Sequence, residues 1–535
     1  NYIELRRELE TDFEFKTQTD TEVLLAAFEA WGTGALDRLN GMFALALYDH
    51  IENSVLIARD RFGIKPLYYH FNGETLTFAS DIPPLLSQVA RIEPDDQSIY
   101  DFLVFNRTNH TENTFFKGIK RLLHGHYLRY MNQRLETVRW YDLAAKAETP
   151  FRNGEEFISL FDDAIQLQLR SDVPVGACLS GGLDSSAIVS MIARGQEAKS
   201  LQTFSAVYGT GETGDESGFI DLFRGRVGAM HFARPTSETL LADLPGFVDA
   251  VVEPLPGTSE YAEFKVMELA KKHVTVLLNG QGADELLAGY LYFAGYYYKE
   301  LAKSGRVPTL VTEMAADYRR HRSLEGIMAF VFFSLPSYLK ERLRRSGLGV
   351  LNSDFAAGHS ASSEITRKLF DSPNLHQSFL DHFEYKFEHH LLWADKTGMA
   401  FSLETRFPFL DHRLVEKLLA LPSEQIIKNG ENKYFLREAM AGILPEAIRG
   451  RHDKVGYETP ENKWFRTEPF AKLFRETFNS KVFRDRPYLN ADKVNSKLEA
   501  HLSGSQSLGN ELWKWLHLEL WFRRFIERGA SWRAE

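Results

Sequence analysis

A short apolar run that ends in a glycine turn and opens a helix is the feature that most constrains this fold. Residues 174–180, PVGACLS, have the length and content of a buried strand, and the helical run SSAIVSMIAR follows the turn. Three further apolar runs, at 201–209, 229–235 and 274–280, alternate with helical segments. Strands that alternate with helices form βαβ units, so this part is predicted to be an α/β domain with a doubly wound parallel sheet.

The front of the chain has a different pattern. Strand-like runs at 41–49 and 54–60 precede a hairpin at 65–80, which turns at Asn72-Gly73, and another hairpin is predicted at 125–143. This pattern predicts an α+β front domain with antiparallel sheets. Beyond residue 284 the pattern is mostly helical, and the Ser/Ala/Gly-rich stretch at 352–364 is predicted to be an exposed loop. The predicted domains are 1–145 and 152–535.

Charge and composition exclude several classes of protein. The net charge of −10 and the absence of a basic run argue against a nucleic-acid binder. The single cysteine excludes an internal disulfide and a cysteine-rich metal site, and a reducing, cytoplasmic compartment fits it best. The most apolar segment, 327–335, is too short to span a membrane and is predicted to be a buried helix.

The turn SGGLDSS, which begins at Ser180, suits the binding of phosphate. Gly181 and Gly182 allow the backbone to approach a ligand closely, and the N-terminus of the helix adds partial positive charge. Its three serines can donate hydrogen bonds, and Asp184 can hold Mg²⁺ against the phosphates. The turn lacks the lysine of a P-loop, so a kinase or GTPase is not expected.

Cys178, which lies in the strand before this turn, is expected to be structural. Its side chain faces the packing of the sheet by the alternation of a strand, and no residue nearby in sequence would lower its pKa. A small buried apolar role is therefore favoured over that of a nucleophile.

The turn resembles the pyrophosphate loop of the ATP pyrophosphatase family. Four more stretches narrow the resemblance: LLNGQGADELLAGY (277–290), MAFSLETRFPFLDHRLVE (399–416), NKYFLREAM (432–440) and RHDKVGYETP (451–460). With these, essentially the whole chain resembles glutamine-dependent asparagine synthetase. The resemblance implies an ATP-pyrophosphatase domain with a helical C-terminal extension, ATP and Mg²⁺ as cofactors, small-molecule substrates and a homodimer.

The front of the chain resembles a class II glutamine amidotransferase domain, of the N-terminal nucleophile hydrolase type. The matching pieces include TQTDTEVLLAAFEAWG and ARDRFGIKPLYY. In that family a first-residue cysteine is the nucleophile, whereas this sequence begins with Asn1, so the domain is expected to be partial and truncated at its N-terminus. Asp20 is implied to bind the α-amino group of glutamine; an aspartate there also suits the N-cap of the following helix.

The reaction implied by the resemblance joins ammonia to a carboxylate. The β-carboxylate of aspartate attacks the α-phosphorus of ATP, pyrophosphate leaves, and ammonia from glutamine then displaces AMP from the aspartyl adenylate. The implied ATP-binding residues are Leu179, Ser180, Gly181, Gly182, Asp184, Ser185, Ser186, Ala206, Asn279 and Gly280. The implied catalytic residues are Gln281, Lys433, Glu404 and Arg406, and the implied metal ligands are Asp184 and Asp284.

Several of these residues also have structural interpretations. Lys433 could be a solvated surface lysine, Glu404 and Arg406 a structural salt bridge, and Asp284 with Glu285 an acidic pair at a helix start. The aromatic run that begins at Tyr290 is predicted to be core or a dimer contact.

Gln281 departs from the family, which has glutamate at this position. A glutamine side chain can hydrogen-bond but cannot act as a general base, so strict specificity for aspartate is in doubt. One alternative is an amidotransferase that acts on another carboxylate, such as a sugar acid in polysaccharide synthesis, or that closes an internal amide. A non-catalytic ATP-binding protein is a further alternative, which the intact turn and Lys433 disfavour.

Overall fold

The computed structural model describes residues 1–147, 149–209, 211–452 and 458–527. Its front part contains two antiparallel sheets, of strand order β1-β2-β6-β7 and β4-β3-β5. The strands are β1 (Ala44–Asp49), β2 (Ser54–Arg59), β3 (Tyr68–Phe71), β4 (Leu76–Ala79), β5 (Lys120–Arg121), β6 (His126–Met131) and β7 (Arg134–Arg139). The helices are α1 (Tyr2–Leu9), α2 (Asp20–Trp31), α3 (Ala35–Arg38), α4 (Asp96–Phe105) and α5 (Leu143–Lys146).

A five-stranded sheet, parallel throughout, follows in the order β10-β9-β8-β11-β12. Its strands are β8 (Val175–Cys178), β9 (Gln202–Ala206), β10 (Ala229–Ala233), β11 (Val276–Leu278) and β12 (Glu404–Arg406). The helices of this part are α6 (Gly154–Leu169), α7 (Leu183–Ile192), α8 (Ser217–Ile220), α9 (Ser237–Val251), α10 (Ser259–Ala270) and α11 (Ala283–Leu286). The antiparallel front and the doubly wound parallel sheet confirm the predicted fold class.

Helices make up most of the remaining chain. They are α12 (Phe293–Lys303), α13 (Val307–His321), α14 (Glu325–Ser334), α15 (Ser337–Leu348), α16 (Ser353–His359), α17 (Ile365–Leu369), α18 (Leu375–His382), α19 (Glu388–Met399), α20 (His412–Leu419), α21 (Ser423–Ile426), α22 (Tyr434–Ala439), α23 (Glu446–Arg449), α24 (Glu461–Trp464), α25 (Glu468–Phe478), α26 (Lys481–Asp485), α27 (Ala491–Leu502) and α28 (Gly509–Trp521). Among the described segments, none forms a helix both long enough and apolar enough to span a membrane.

The strand order reverses between β8 and β11, and this reversal positions the site. From β8 the chain moves outward to β9 and β10, then returns to place β11 on the other side of β8. At such a reversal the connections that leave the two strands run to opposite faces of the sheet, and a crevice forms between them at the carboxyl edge. Open α/β sheets bind their ligands in such a crevice.

Two expectations about helices were wrong. The stretch 352–364 contains α16, because Asn352 caps its first turn and Phe355 packs against Tyr488. The segment 327–335 is helical as far as Ser334, as predicted, but only partly buried: Phe333 is 5% exposed, whereas Met328 and Val331 are 62% and 55% exposed. The helix covers α12 on one side only and leaves its other side to solvent.

Charged groups join the front part to the helical part. Oε1 of Glu388, at the start of α19, lies 2.6 Å from Nη1 of Arg59 and 2.9 Å from Nε of Arg121. All three side chains are at most 2% exposed. Lys65 forms an ion pair with Asp395, which lies about two turns after Glu388 on α19, and the distance is 2.9 Å. One hydrophobic cluster also runs continuously across this boundary.

Candidate active site

The candidate site is built on the turn after β8. Gly181 has φ +82°, a left-handed conformation that glycine adopts without strain, and Gly182 caps α7. The amide of Ser180 donates to Oγ of Ser185 at 3.1 Å, and the amide of Gly182 donates to Oγ of Ser180 at 3.2 Å. The two serines therefore fold the turn back on the first turn of α7.

The remaining residues of this stretch differ in access. Leu179 is completely buried, and Ser185 is 7% exposed. Ser186 has no exposed surface, so a ligand cannot reach its hydroxyl in this arrangement. Ala206, the last residue of β9, is only half-buried at the same edge of the sheet.

The loop after β11 packs directly against this turn. A Cβ atom on Gly280 would lie 2.8 Å from the amide nitrogen of Ser185 and 3.1 Å from the carbonyl carbon of Asp184, so no larger residue fits there. Gly282, two residues later, has φ +101° and precedes α11. The two loops are thus held in contact across the crevice.

Lys433 connects both loops from the C-terminal half of the chain. Its ammonium pairs with the carboxylate of Asp184 and lies 2.5 Å from Oδ1 of Asp284. Burial acts to lower the pKa of Lys433, but the charges of the two aspartates outweigh it and raise the pKa. Gly289 makes the approach possible, because a Cβ atom there would lie 2.6 Å from Cε of the lysine.

The paired carboxylates suit a hard divalent cation. Asp184 and Asp284 converge on one ammonium, so their oxygens are close enough to share a single positive charge. Mg²⁺ prefers oxygen ligands and is commonly held by one or two carboxylates with substrate phosphates supplying the rest. Within the described residues no cluster of three or more metal-ligating side chains occurs.

Arg451 is a site residue that the sequence analysis did not single out. Its Nη1 donates to the carbonyl oxygen of Gly181 at 3.1 Å and to Glu216 at 2.6 Å, and its side chain is only 7% exposed. Arg451 begins the stretch RHDKVGYETP, which could have indicated it. Its partner Glu216 lies in a loop without a recognised motif, so the ion pair could not be predicted. Residues 453–457 of that stretch lie outside the described residues.

Asn279 and Gln281 belong to a second polar cluster, whose buried acid the sequence analysis also missed. Nδ2 of Asn279 donates to Oε1 of Glu263 at 3.0 Å, and its Oδ1 accepts from the amide of Gln281 at 3.3 Å. Glu263, on α10, is 4% exposed, and burial raises its pKa to about 7. Burial also raises the pKa of Glu260, one turn earlier, to about 8.

Glu404 and Arg406 form the predicted ion pair, 2.6 Å long, on β12. Arg406 also donates from Nη1 to the carbonyl oxygens of Gln168 and Arg170 at the end of α6, at 2.6 and 2.8 Å. Arg406 therefore anchors α6 to the sheet. The strand that carries the pair was not predicted.

Three further residues have clear placements. Asp20 is the first residue of α2 and is exposed, but the N-cap is Thr19, so the N-cap interpretation of Asp20 was wrong. Cys178 is 2% exposed among the apolar side chains of Phe204 and Met267, which confirms its burial. Tyr290 donates to Glu285 at 2.8 Å, and the tyrosines that follow it on α12 are buried core.

Comparison with known proteins gives matches over both parts of the chain. The asparagine synthase family model matches residues 156–523, and the glutamine amidotransferase domain model matches residues 1–141. A putative asparagine synthetase [glutamine-hydrolyzing] of Mycobacterium tuberculosis is 30% identical over 559 residues, covering 99% of this chain and 84% of that protein. Asparagine synthetase [glutamine-hydrolyzing] 1 of Bacillus subtilis is 30% identical over 552 residues, with the same two shares. Amidase chyE of Penicillium rubens is 27% identical over 522 residues, covering 86% and 75%.

Proposed function

Because this chain belongs to the asparagine synthase family and is a carbon–nitrogen ligase of the glutamine-hydrolysing type, we propose that it amidates aspartate to asparagine. ATP-dependent amidation is the family's general activity; aspartate is the specific part of the proposal. The proposed domains are 1–145, for glutamine hydrolysis, and 152–535, for synthesis. Asp20 would bind the α-amino group of glutamine in the first. We further propose a homodimer and a cytoplasmic location.

The observation that carries the proposal is the bridge from Lys433 to Asp184 and Asp284. Attack of a carboxylate on the α-phosphorus places growing negative charge on pyrophosphate. A buried ammonium fixed beside the turn that would hold that pyrophosphate is suited to stabilise it. The same ammonium keeps the two acidic side chains close together.

The backbone of the turn would hold the phosphates. The N-terminus of α7 and the amide of Gly181 would supply donors, and the hydroxyls of Ser180 and Ser185, which accept from the amides of Gly182 and Ser180, lie beside them. The nucleoside would be surrounded by Leu179, Ala206, Asn279 and Gly280. Ser186, which is fully buried, would support the turn rather than contact the nucleotide. Glu404 and Arg406 would act by holding α6 and β12.

Asp184 and Asp284 would hold Mg²⁺ together with the phosphate oxygens. When bound, the ion neutralises phosphate charge and supplies Lewis acidity at the leaving group. Lys433 would then pass from the aspartates to the phosphates, because a lysine ammonium is a mobile point charge on a flexible stem.

A second candidate function rests on Gln281. Its side chain cannot take the proton that ammonia loses when it attacks an acyl adenylate, so a site built for another carboxylate remains an alternative. An amidotransferase for a sugar acid would use the same nucleotide turn and the same Lys433.

The test is pyrophosphate release from Mg-ATP with ammonium as the nitrogen source and one carboxylate at a time. The proposal expects release with aspartate and formation of asparagine in equal amount. Uronic acids, glutamate and β-alanine form the comparison set. Release that depends on a uronic acid and not on aspartate would favour the second candidate.

A further inference from the structure

The loop that carries Gln281 contacts a buried carboxylate, that of Glu263, which has no part in the proposed mechanism. Glu263 lies on α10 and is 4% exposed, yet it forms no ion pair among the described residues. Its Oε1 accepts a 3.0 Å hydrogen bond from Nδ2 of Asn279. Burial of a carboxylate without a cation costs free energy, so we infer the role of Glu263 from the hydrogen bond that it accepts.

The side chain of Asn279 is oriented by two contacts of opposite kind. Its Nδ2 faces an acceptor, Oε1 of Glu263, and its Oδ1 faces a donor, the amide of Gln281 at 3.3 Å. If the carboxamide turned over, an oxygen would face the carboxylate and an NH₂ group would face the amide N–H. The ionised form of Glu263 therefore permits one orientation only.

The position of the Asn279 side chain affects the nucleotide turn through Gly280. That residue lies between Asn279 and Gln281 and packs so closely on Ser185 that a Cβ atom would come within 2.8 Å of the serine amide. A change in the loop after β11 cannot be absorbed there without moving the start of α7. Asn279 itself is 3% exposed, so it has little room to shift alone.

We propose that Glu263 is a positioning residue: through the side chain of Asn279 its carboxylate holds the Gln281 loop in the geometry that receives the nucleotide. The inference rests on the proposed nucleotide site and is independent of which carboxylate is amidated. Protonated Glu263 can donate its O–H to Oδ1 of Asn279, which favours the turned-over carboxamide. The amide of Gln281 then loses its acceptor and the loop relaxes.

The surroundings leave Glu263 to titrate close to neutrality. Burial raises its pKa to about 7, and the hydrogen bond from Asn279 acts in the opposite direction. Glu260, one turn earlier, interacts with it, and Glu461 interacts with Glu260. Four ionisable groups on the other elements packed against α10 have partners of their own: His231 with Gln202, Asp243 with Lys265, Asp395 with Lys65, and Lys396 with Asp81.

The prediction is a loss of nucleotide affinity in mild acid. With a pKa near 7, the carboxylate fraction falls about tenfold between pH 8 and pH 6, and the apparent affinity for a ligand falls with the competent fraction. The Kd for Mg-ATP, measured by calorimetry on the whole chain, should therefore rise about tenfold over this range.

Substitution at Glu263 separates this role from general effects of pH. Glu263→Gln does not titrate and, like the protonated acid, carries a donor that can face Oδ1 of Asn279, so its Kd should already be raised about tenfold at pH 8 and should change little between pH 8 and pH 6. Glu263→Leu removes the acceptor, and Kd should rise at least tenfold at both pH values. Glu268→Gln, on the same helix with a 44% exposed side chain, is the matched control and should behave as the wild type.

The outcomes discriminate between the proposals. The same pH dependence in the wild type and in Glu263→Gln would overturn the role of Glu263, and titration of the phosphates cannot mimic the difference because it affects both proteins equally. If thermal unfolding shows that Glu263→Leu does not fold, the pH dependence of Glu263→Gln still tests the role of Glu263. A wild type that binds Mg-ATP with the predicted pH dependence but does not amidate aspartate would overturn the proposed substrate and leave Glu263 in its role. A wild type that does not bind Mg-ATP would overturn both.

Discussion

The ammonium nitrogen of Lys433 lies 2.5 Å from Oδ1 of Asp284, inside a site that three distant parts of the chain build together. Asp284 follows β11, Asp184 follows β8, and the lysine precedes α22 in a left-handed conformation with φ +56°. A non-glycine residue in that conformation is costly, and its persistence at this position points to a functional constraint.

Removal of the Lys433 charge should abolish most of the activity. We expect Lys433→Met to lower kcat/KM for pyrophosphate release at least 100-fold, since a preorganised charge at a developing anion commonly contributes that much. Lys428→Met, an exposed lysine of the same segment, is the control and should stay within about twofold. Activity of Lys433→Met within tenfold of the wild type would refute the assigned role.

The junction between the front part and the helical part should depend on Glu388. Replacement by glutamine leaves Arg59 and Arg121 buried without a counter-charge, which typically costs about 3–5 kcal/mol. Urea unfolding should show this loss. The control, Glu8→Gln, removes an exposed partner of Arg38 and should change the free energy of unfolding by less than about 0.5 kcal/mol. Equal effects of the two substitutions would show that the junction does not rely on this pair.

His124 should make the protein less stable in mild alkali. Burial acts to lower its pKa, but hydrogen bonds to Glu384 and Glu388 outweigh it and raise the pKa from 6.5 to about 9. A raised pKa means that the stabilisation is complete below about pH 6.5 and is lost as the pH rises through 9. The free energy involved is on the order of 3 kcal/mol.

The measurement compares wild type with His124→Gln by urea unfolding at pH 6 and pH 9.5. We expect the wild type to be the more stable protein at pH 6 and the gap to narrow at pH 9.5. His50→Gln, at an exposed position, controls for general effects of pH. A gap that widens in alkali would contradict the assigned charge of His124.

Cys178 should prove dispensable for catalysis. It is the last residue of β8 and is 2% exposed, so an alkylating reagent should react with the native protein far more slowly than with the unfolded chain. Cys178→Ala should keep the wild-type rate of pyrophosphate release and lose about 1 kcal/mol of stability. Rapid alkylation that inactivates the native protein would show that the cysteine has a role in the site.

The residues of the site that sequence reasoning found share one property: they lie in short motifs at the ends of strands. The turn at Ser180 was found from its own residues and the loop at Asn279 from the resemblance; the two meet because the carboxyl ends of neighbouring parallel strands share an edge. Lys433 was reached only through a resemblance, since nothing in its local sequence shows what its ammonium faces.

The missed features depend on tertiary packing. Strand β12 has three residues, too few for a periodic signal, and pairs with β11 only because the preceding helix delivers it there. In the sequence Glu263 is one more charged residue of a helix, and its burial depends on how α10 packs against β9, β10 and α19. The exposure of Met328 was missed because an apolar run does not reveal how many of its sides are covered.

The most direct test of the account follows an oxygen atom from the carboxylate into the nucleotide. Aspartate labelled with ¹⁸O in its β-carboxylate is incubated with Mg-ATP and ammonium, and AMP and asparagine are analysed by mass spectrometry. The account predicts one ¹⁸O in the phosphate of AMP and one in the amide of asparagine, because the bridging oxygen of the adenylate leaves with AMP. Unlabelled AMP, or no asparagine at all, would contradict it.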